Sequence, residues 1–186
     1  MPSSITPDIA GLRALSHPIR LRMLTLLRGD GPATATTLAR RLDLNTGATS
    51  YHLRQLAQHG FIEEDTERGN ARDRWWRAAH GSTRTDARGQ GSDGERLEAY
   101  LATVAQLYGD RLRAAVAEMA FLPQEWGDVG TLSDWEVRLT PAQAQELVGR
   151  LTTMVELTED SVDSDAAPFA ININAFVRPG QQWTAR

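Results

Sequence analysis

TLARRLDLNTGATSYHLRQLAQHGFI, residues 37–62, is the stretch that decides the fold. It reads as two helices around a short turn. In the first, Leu38, Ala39 and Leu42 make an apolar stripe, and Thr34 just upstream is a residue type that caps helix starts. Asp43-Leu44-Asn45 is a connection of three residues, and Asn45 can cap the second helix, TGATSYHLRQLAQH. That helix buries Thr49, Leu53, Leu56 and Ala57 and stops at Gly60. Its other face presents Thr46, Gly47, Ser50, Tyr51, Arg54 and Gln55, which are small or hydrogen-bonding groups with no acid among them. His52 falls beside the buried stripe and is expected to pack or cap rather than to read a ligand.

Upstream, IRLRMLTLLRG (19–29) places Ile19, Met23, Leu26 and Leu27 at helical spacing, with Pro18 at the first helical position and Gly31-Pro32 forcing a turn afterwards. A shorter helix is expected over 8–15. Downstream, FIEED (61–65) and DRWWRAA (73–79) read as two short strands around a Gly69-Asn70 turn, a hairpin with Arg68, Arg72 and Arg74 near its tip. Trp75 and Trp76 are adjacent, so they must leave a strand on opposite faces, one toward the core. Helix, turn, helix and basic hairpin is the order of a winged helix-turn-helix.

Residues 17–79 resemble the arsenic-repressor (ArsR/SmtB-type) winged-helix regulators. The resemblance rests on HPIRLRML at 17–24, TLARRLDLN at 37–45, TSYHLRQLAQHGFI at 49–62 and RDRWWRA at 72–78, about a third of the chain. It implies a homodimeric, cytoplasmic DNA-binding repressor or activator. Metal-responsive members carry a cysteine motif in the helix that here reads ATATTLARR, and this chain has no Cys. The non-metal-sensing branch with a C-terminal extension, of actinobacterial type, is the one resembled. No thiolate metal site, disulfide or cysteine nucleophile is available. His17, His52, His59 and His80 are scattered, so no metal site is expected from them.

The charge supports a divided chain. All 186 residues together carry 20 basic against 24 acidic groups, a net charge of -4. Residues 1–80 hold 11 Arg against 8 acids, net +3, and residues 81–186 hold 9 Arg against 16 acids, net -7. Every basic residue is Arg, a planar fork suited to phosphate and guanine edges. The expected organisation is a winged helix-turn-helix domain over 1–80, a Gly/Ser/Thr-rich linker over 81–94 and a C-terminal half over 95–186.

That half opens with a long helix carrying Leu97, Leu101, Val104, Tyr108, Leu112, Ala115, Met119 and Leu122 at steps of three and four; the family resemblance implies that this helix pairs with its symmetry mate, which makes it the expected dimer seam. SDWEVRLT (133–140) and FAININAFV (169–177) alternate as strands do, and Thr140-Pro141-Ala142-Gln143 between them is a capping box. The fold class is therefore α+β, with a small C-terminal strand-helix-strand unit. Two strands and a helix bury too little to stand alone.

Function follows from these parts. Thr46, Gly47, Ser50, Tyr51, Arg54 and Gln55 on the recognition helix (46–58), with Arg68, Arg72 and Arg74 on the wing (61–79), are the expected DNA-binding residues on a palindromic double-stranded operator. Trp126, Trp135, Tyr108, Asn172 and Asn174 are of the types that line effector pockets, but ordinary packing accounts for them as well, so the effector-binding residues stay unassigned. A small-molecule effector is a candidate partner; no cofactor and no membrane partner is expected. No phosphate loop, nucleophile elbow, zinc-protease motif or carboxylate pair is present, so no enzyme is expected. The alternative is a winged-helix protein-interaction module without sequence-specific DNA binding, which the overall negative charge favours.

Overall fold

The computed structural model describes residues 4–68, 73–84 and 92–181. Its elements run β1 (Ser4–Ile5), α1 (Ile9–Leu15), α2 (Pro18–Gly29), β2 (Ala33–Thr34), α3 (Ala35–Leu42), α4 (Thr46–Gln58), β3 (Ile62–Glu64), β4 (Trp75–Ala78), β5 (Ser82–Thr83), α5 (Ser92–Glu118), α6 (Gln124–Gly127) and α7 (Pro141–Glu156). The α+β class holds. Among the described residues, one compact unit ends at Val129 and another begins at Gly130.

Local chemistry sets the helix ends of the first unit. Asp8 caps α1 by accepting from Gly11 N at 2.7 Å, Thr34 caps α3 through Thr37 N at 3.1 Å, and Asn45 caps α4 through Ala48 N at 2.8 Å. Asp43 closes α3 in the left-handed region at φ 53°, where a short polar side chain is tolerated, and Leu44 N then bonds back to Ala39 O. That single residue sets the angle between α3 and α4.

The core follows the expected stripe of α4, whereas on α2 Leu21 and Leu24 are buried with Met23 and Leu27, and the expected Ile19 and Leu26 are only half-buried. Leu15, Met23, Leu24, Leu38, Leu53, Leu56 and Phe61 are fully buried in one cluster, each contributing about 1.5–3 kcal/mol of burial. Thr49 is buried among them, its hydroxyl donating to Asn45 O at 3.0 Å. The hairpin pairs antiparallel, with Ile62 opposite Ala78 and Glu64 opposite Trp76. A third strand not read from the sequence joins it: Ala33-Thr34 pairs with Trp76-Trp75, giving the order β2-β4-β3. Two residues are too short to carry an alternating pattern. The Gly69-Asn70 turn lies outside the described residues.

The long helix departs from expectation. Leu97, Tyr100 and Leu107 are buried and Val104 half-buried, against α1 and α2 of the same chain. Thr103 Oγ1 donates to Ser16 O at 3.0 Å, and Arg28 at the end of α2 donates to His80 O at 2.8 Å and to Thr83 Oγ1 at 3.0 Å. The Tyr100 hydroxyl is pushed up to about 12, chiefly by burial and then by Tyr108, with Arg28 opposing. Leu97, Tyr100, Val104 and Leu107 therefore pack in the core of their own chain, and α5 belongs to the unit that ends at Val129. The reason is geometric: apolar residues at steps of three and four over 27 residues can make two neighbouring stripes instead of one.

In the second unit, the capping box forms as read. Thr140 Oγ1 accepts from Gln143 N at 3.3 Å, Thr140 N donates to Gln143 Oε1 at 2.9 Å, and Pro141 opens α7. The two flanking strands do not form. Residues 133–140 and 169–177 pair into no sheet among the described residues, although Arg178 Nη1 meets Glu136 Oε2 at 3.3 Å and links their ends. Strands exist only through a ladder partner, which alternation alone does not supply. Trp135 stays 81% exposed.

Candidate nucleic-acid interface

Three elements of the first unit converge on one groove of about 320 Å³. The start of α3 contributes Thr34, Ala35 and Thr36, α4 contributes Thr46, Ser50 and Arg54, and the wing contributes Asp73, Arg74 and Trp76. The antiparallel pairing of β2 with β4 brings the α3 start beside the wing, since Thr34 is both the last residue of β2 and the cap of α3. The Asp43 turn then sets α4 alongside. Both helix starts carry the partial positive charge of their aligned peptide dipoles toward this surface.

Four of the expected residues, Thr46, Ser50, Arg54 and Arg74, line the groove together. Gly47, Tyr51 and Gln55 lie on the same helix outside its lining. Gly47 sits where a Cβ would come 3.3 Å from the capping oxygen of Asn45, so its bareness keeps the cap undisturbed. Tyr51 is 52% exposed, its ring edge-on to His52. Arg72 lies outside the described residues. Sequence reasoning missed Thr34, Ala35, Thr36, Asp73 and Trp76 as lining groups; the cap at Thr34 was visible, but its place beside the wing depends on the β2–β4 pairing.

The electrostatics divide the arginines. Arg54 is exposed and, among the described residues, donates only to Ser50 O of its own helix, at 3.1 Å. The described wing arginines are engaged by acids instead: Arg68 with Asp65 at 3.5 Å, Arg74 with Glu64 at 3.2 Å and Arg77 with Glu63 at 2.9 Å. Asp65 is itself buried, and Arg74 also sits over the Trp76 ring at 5.6 Å. Net positive charge in the first 80 residues thus overstates what the wing offers.

His52 is buried on the inner side of α4, its ring 4.6 Å from that of His17 and its Nδ1 without a hydrogen-bond partner. His17 caps α2, Nδ1 accepting from Ile19 N at 3.2 Å, which requires that nitrogen to be unprotonated. Both imidazoles are held below their ordinary value, by burial first; the Arg20 charge adds to this at both, and His17 adds to it at His52. These histidines join α2 to α4 and face away from the groove's chemistry. Among the described residues no three His, Cys, Asp or Glu side chains gather as metal ligands, and no helix is long and apolar enough to cross a membrane.

Residues 15–65 match a family described as a helix-turn-helix domain. The HTH-type transcriptional regulator YgaV of Escherichia coli (strain K12) is 38% identical over 56 residues, covering 30% of this chain and 57% of that protein. The chain thus spans little more than half the length of this curated relative. Among solved structures, a double-mutant apo form of Lactococcus lactis ZitR aligns at 12% identity and a TM-score of 0.35, covering 76% of this chain and 81% of that one. The adhesin competence repressor AdcR of Streptococcus pyogenes aligns at 13% identity and a TM-score of 0.32, covering 75% and 78%.

Proposed function

We propose that this protein is a sequence-specific DNA-binding transcriptional regulator of the non-metal-sensing ArsR type. It acts as a homodimer on a palindromic operator, with α4 in the major groove and the wing beside it. One observation carries the reading. Thr46, Ser50 and Arg54 of the exposed, acid-free face of α4 line a single groove with the start of α3 and the wing, and among the described residues Arg54 is committed to no acid. A groove about 12 Å wide admits such a helix, and an Arg at its exposed face suits guanine or phosphate. The similarity of residues 15–65 to helix-turn-helix domains supports the same reading.

The test is selection of bound fragments from random duplex DNA by the purified protein, followed by titration of the enriched sequence at several salt concentrations. Two inverted half-sites about 34 Å apart, or a small multiple, and affinity falling steeply with salt are expected. No enrichment, with salt-insensitive or absent binding, points to a protein-docking module, the reading that the acid-engaged wing favours. We assign control by a small-molecule effector to the C-terminal half. A metabolite panel that leaves both the melting temperature and the operator affinity unchanged would count against that assignment.

A further inference from the structure

Residues 131–139 run without a helix, turn or bend, and among the described residues none of their backbone N–H or C=O groups bonds to another backbone group. Alternation puts Trp135, Val137 and Leu139 on one side of this segment, 81%, 64% and 44% exposed, and Glu136 and Arg138 on the other. An open row of backbone donors and acceptors beside an apolar face is a template for another strand. Residues 169–177 of the same unit form no ladder with it; Glu136 meets Arg178 through side chains.

We propose that residues 134–140 pair antiparallel with the same residues of a second copy of this chain, about a two-fold axis at Val137. The proposal rests on the homodimer reading above and adds a contact in the C-terminal unit. Charge complementarity within the segment selects a second copy. With Val137 opposite itself, Glu136 comes opposite the second copy's Arg138, and Arg138 opposite its Glu136, so symmetry makes the ion pair twice on one face. On the other face Trp135 comes opposite Leu139, also twice. Arg138 is exposed and has no ion partner among the described residues. The bond from Glu136 to Arg178 is an open surface pair, 75% and 73% exposed, of a kind that contributes little and is easily exchanged.

Other registers lose this match. A slide of two residues sets Glu136 opposite Glu136 or Arg138 opposite Arg138, and a slide of one sets charged side chains opposite apolar ones. A parallel pair in register brings like charges together at both positions. Residues 169–177 carry no charge and offer no such selection. The cap of α7 fixes which residues hydrogen-bond. Thr140 N donates to Gln143 Oε1 and Thr140 O accepts from Ala144 N, each at 2.9 Å, so Thr140 has no ladder bonds to exchange. The bonded pairs then fall at Trp135, Val137 and Leu139, which leaves Glu136 and Arg138 in the non-bonded pairs, where side chains come closer. A two-stranded ribbon is marginal by itself; α7, directly after each strand, carries exposed Leu147, Leu151 and Val155 at steps of four, a stripe suited to cover the apolar face.

The chain has no cysteine, so introduced thiols are the sole ones. Full-length Val137→Cys and Ser133→Cys are prepared separately and mildly oxidised, alongside sedimentation of the unmodified protein. The expected result is a dimer in which the Val137 variant cross-links with itself at the axis and the Ser133 variant does not, its mate lying about 27 Å away along the ladder. Adding Glu136→Arg or Arg138→Glu to Val137→Cys is expected to lower the cross-linked fraction about fivefold or more, and the two charge variants, co-expressed with different tags, to cross-link with each other as the parent does. A dimer in which both thiols or neither cross-link, or which ignores the charge changes, overturns the strand pairing and leaves the homodimer reading standing. A monomer at every concentration overturns both. Circular dichroism confirms that each variant is folded.

Discussion

The unequal freedom of Arg54 and Arg74 predicts unequal roles on DNA. To contact DNA, Arg54 gives up one bond to Ser50 O in its own helix, a loss of about 0.5–1.5 kcal/mol that the new contact more than replaces. Arg74 must leave Glu64 at 3.2 Å and disturb its stacking on Trp76, worth about 0.2–1 and about 0.5–1 kcal/mol respectively. A good bidentate contact is worth about 1–3 kcal/mol. Arg54→Ala should therefore cost each half-site about 1–3 kcal/mol, a factor of about 5–150. Arg74→Ala should cost about 1 kcal/mol or less, under about fivefold, because most of its gain offsets what it releases. Glu64→Gln, which frees Arg74 and removes a carboxylate from the wing, should tighten binding a few-fold. The assay is fluorescence anisotropy with the selected operator across a salt series. If Arg54 lies on phosphate, its loss also flattens the log–log salt slope by about 0.9 per protomer. The reasoning is refuted if Arg74→Ala costs as much as Arg54→Ala, or if Glu64→Gln leaves affinity unchanged.

Stability should depend on the buried histidines. His17 and His52 titrate below 6.5 in the folded chain and near 6.5 unfolded, so under mild acid the unfolded state binds more protons. Stability is then complete above pH 6.5 and falls as pH drops below it, a slope that urea unfolding at pH 5.5 and 8 reads directly. His52→Leu removes one titrating group and an orphaned Nδ1, so it should flatten that slope with little loss at pH 8; a steeper slope contradicts the assignment. Asn45→Ala removes the α4 cap and should lower stability by about 1 kcal/mol, with a matching loss of operator affinity if the start of α4 meets phosphate; unchanged unfolding would show the cap to be idle.

Much of the winged helix was legible because its elements are local. The helices themselves, the caps at Thr34 and Asn45, the three-residue turn and the two paired wing strands came out where the residues placed them, while the buried face of α2 turned toward Leu21 and Leu24. The outward face of α4 was legible for the same reason, since burying Leu53 and Leu56 leaves Ser50 and Arg54 outside. The wing was read less well. Its arginines are visible in the sequence, but their pairing with Glu63, Glu64 and Asp65 follows from the strand register, which sets Glu63 opposite Arg77. The C-terminal strands failed for a related reason: alternation says which face a strand would bury, not whether a ladder partner exists.

The sequence by itself determined that residues 37–62 make two helices about a tight turn, and which face of the second is left to meet a partner. Helix caps and 3.6-residue periodicity act within a few residues, so they need nothing beyond the local chain. The tertiary structure decided the rest. It brought the α3 start, Arg54 and Arg74 into one groove, set His17 against His52, engaged the wing's charges and assigned one of two stripes on α5 to the core. Those outcomes depend on groups far apart in the chain, and their contact energies exist only once the core has brought the elements together.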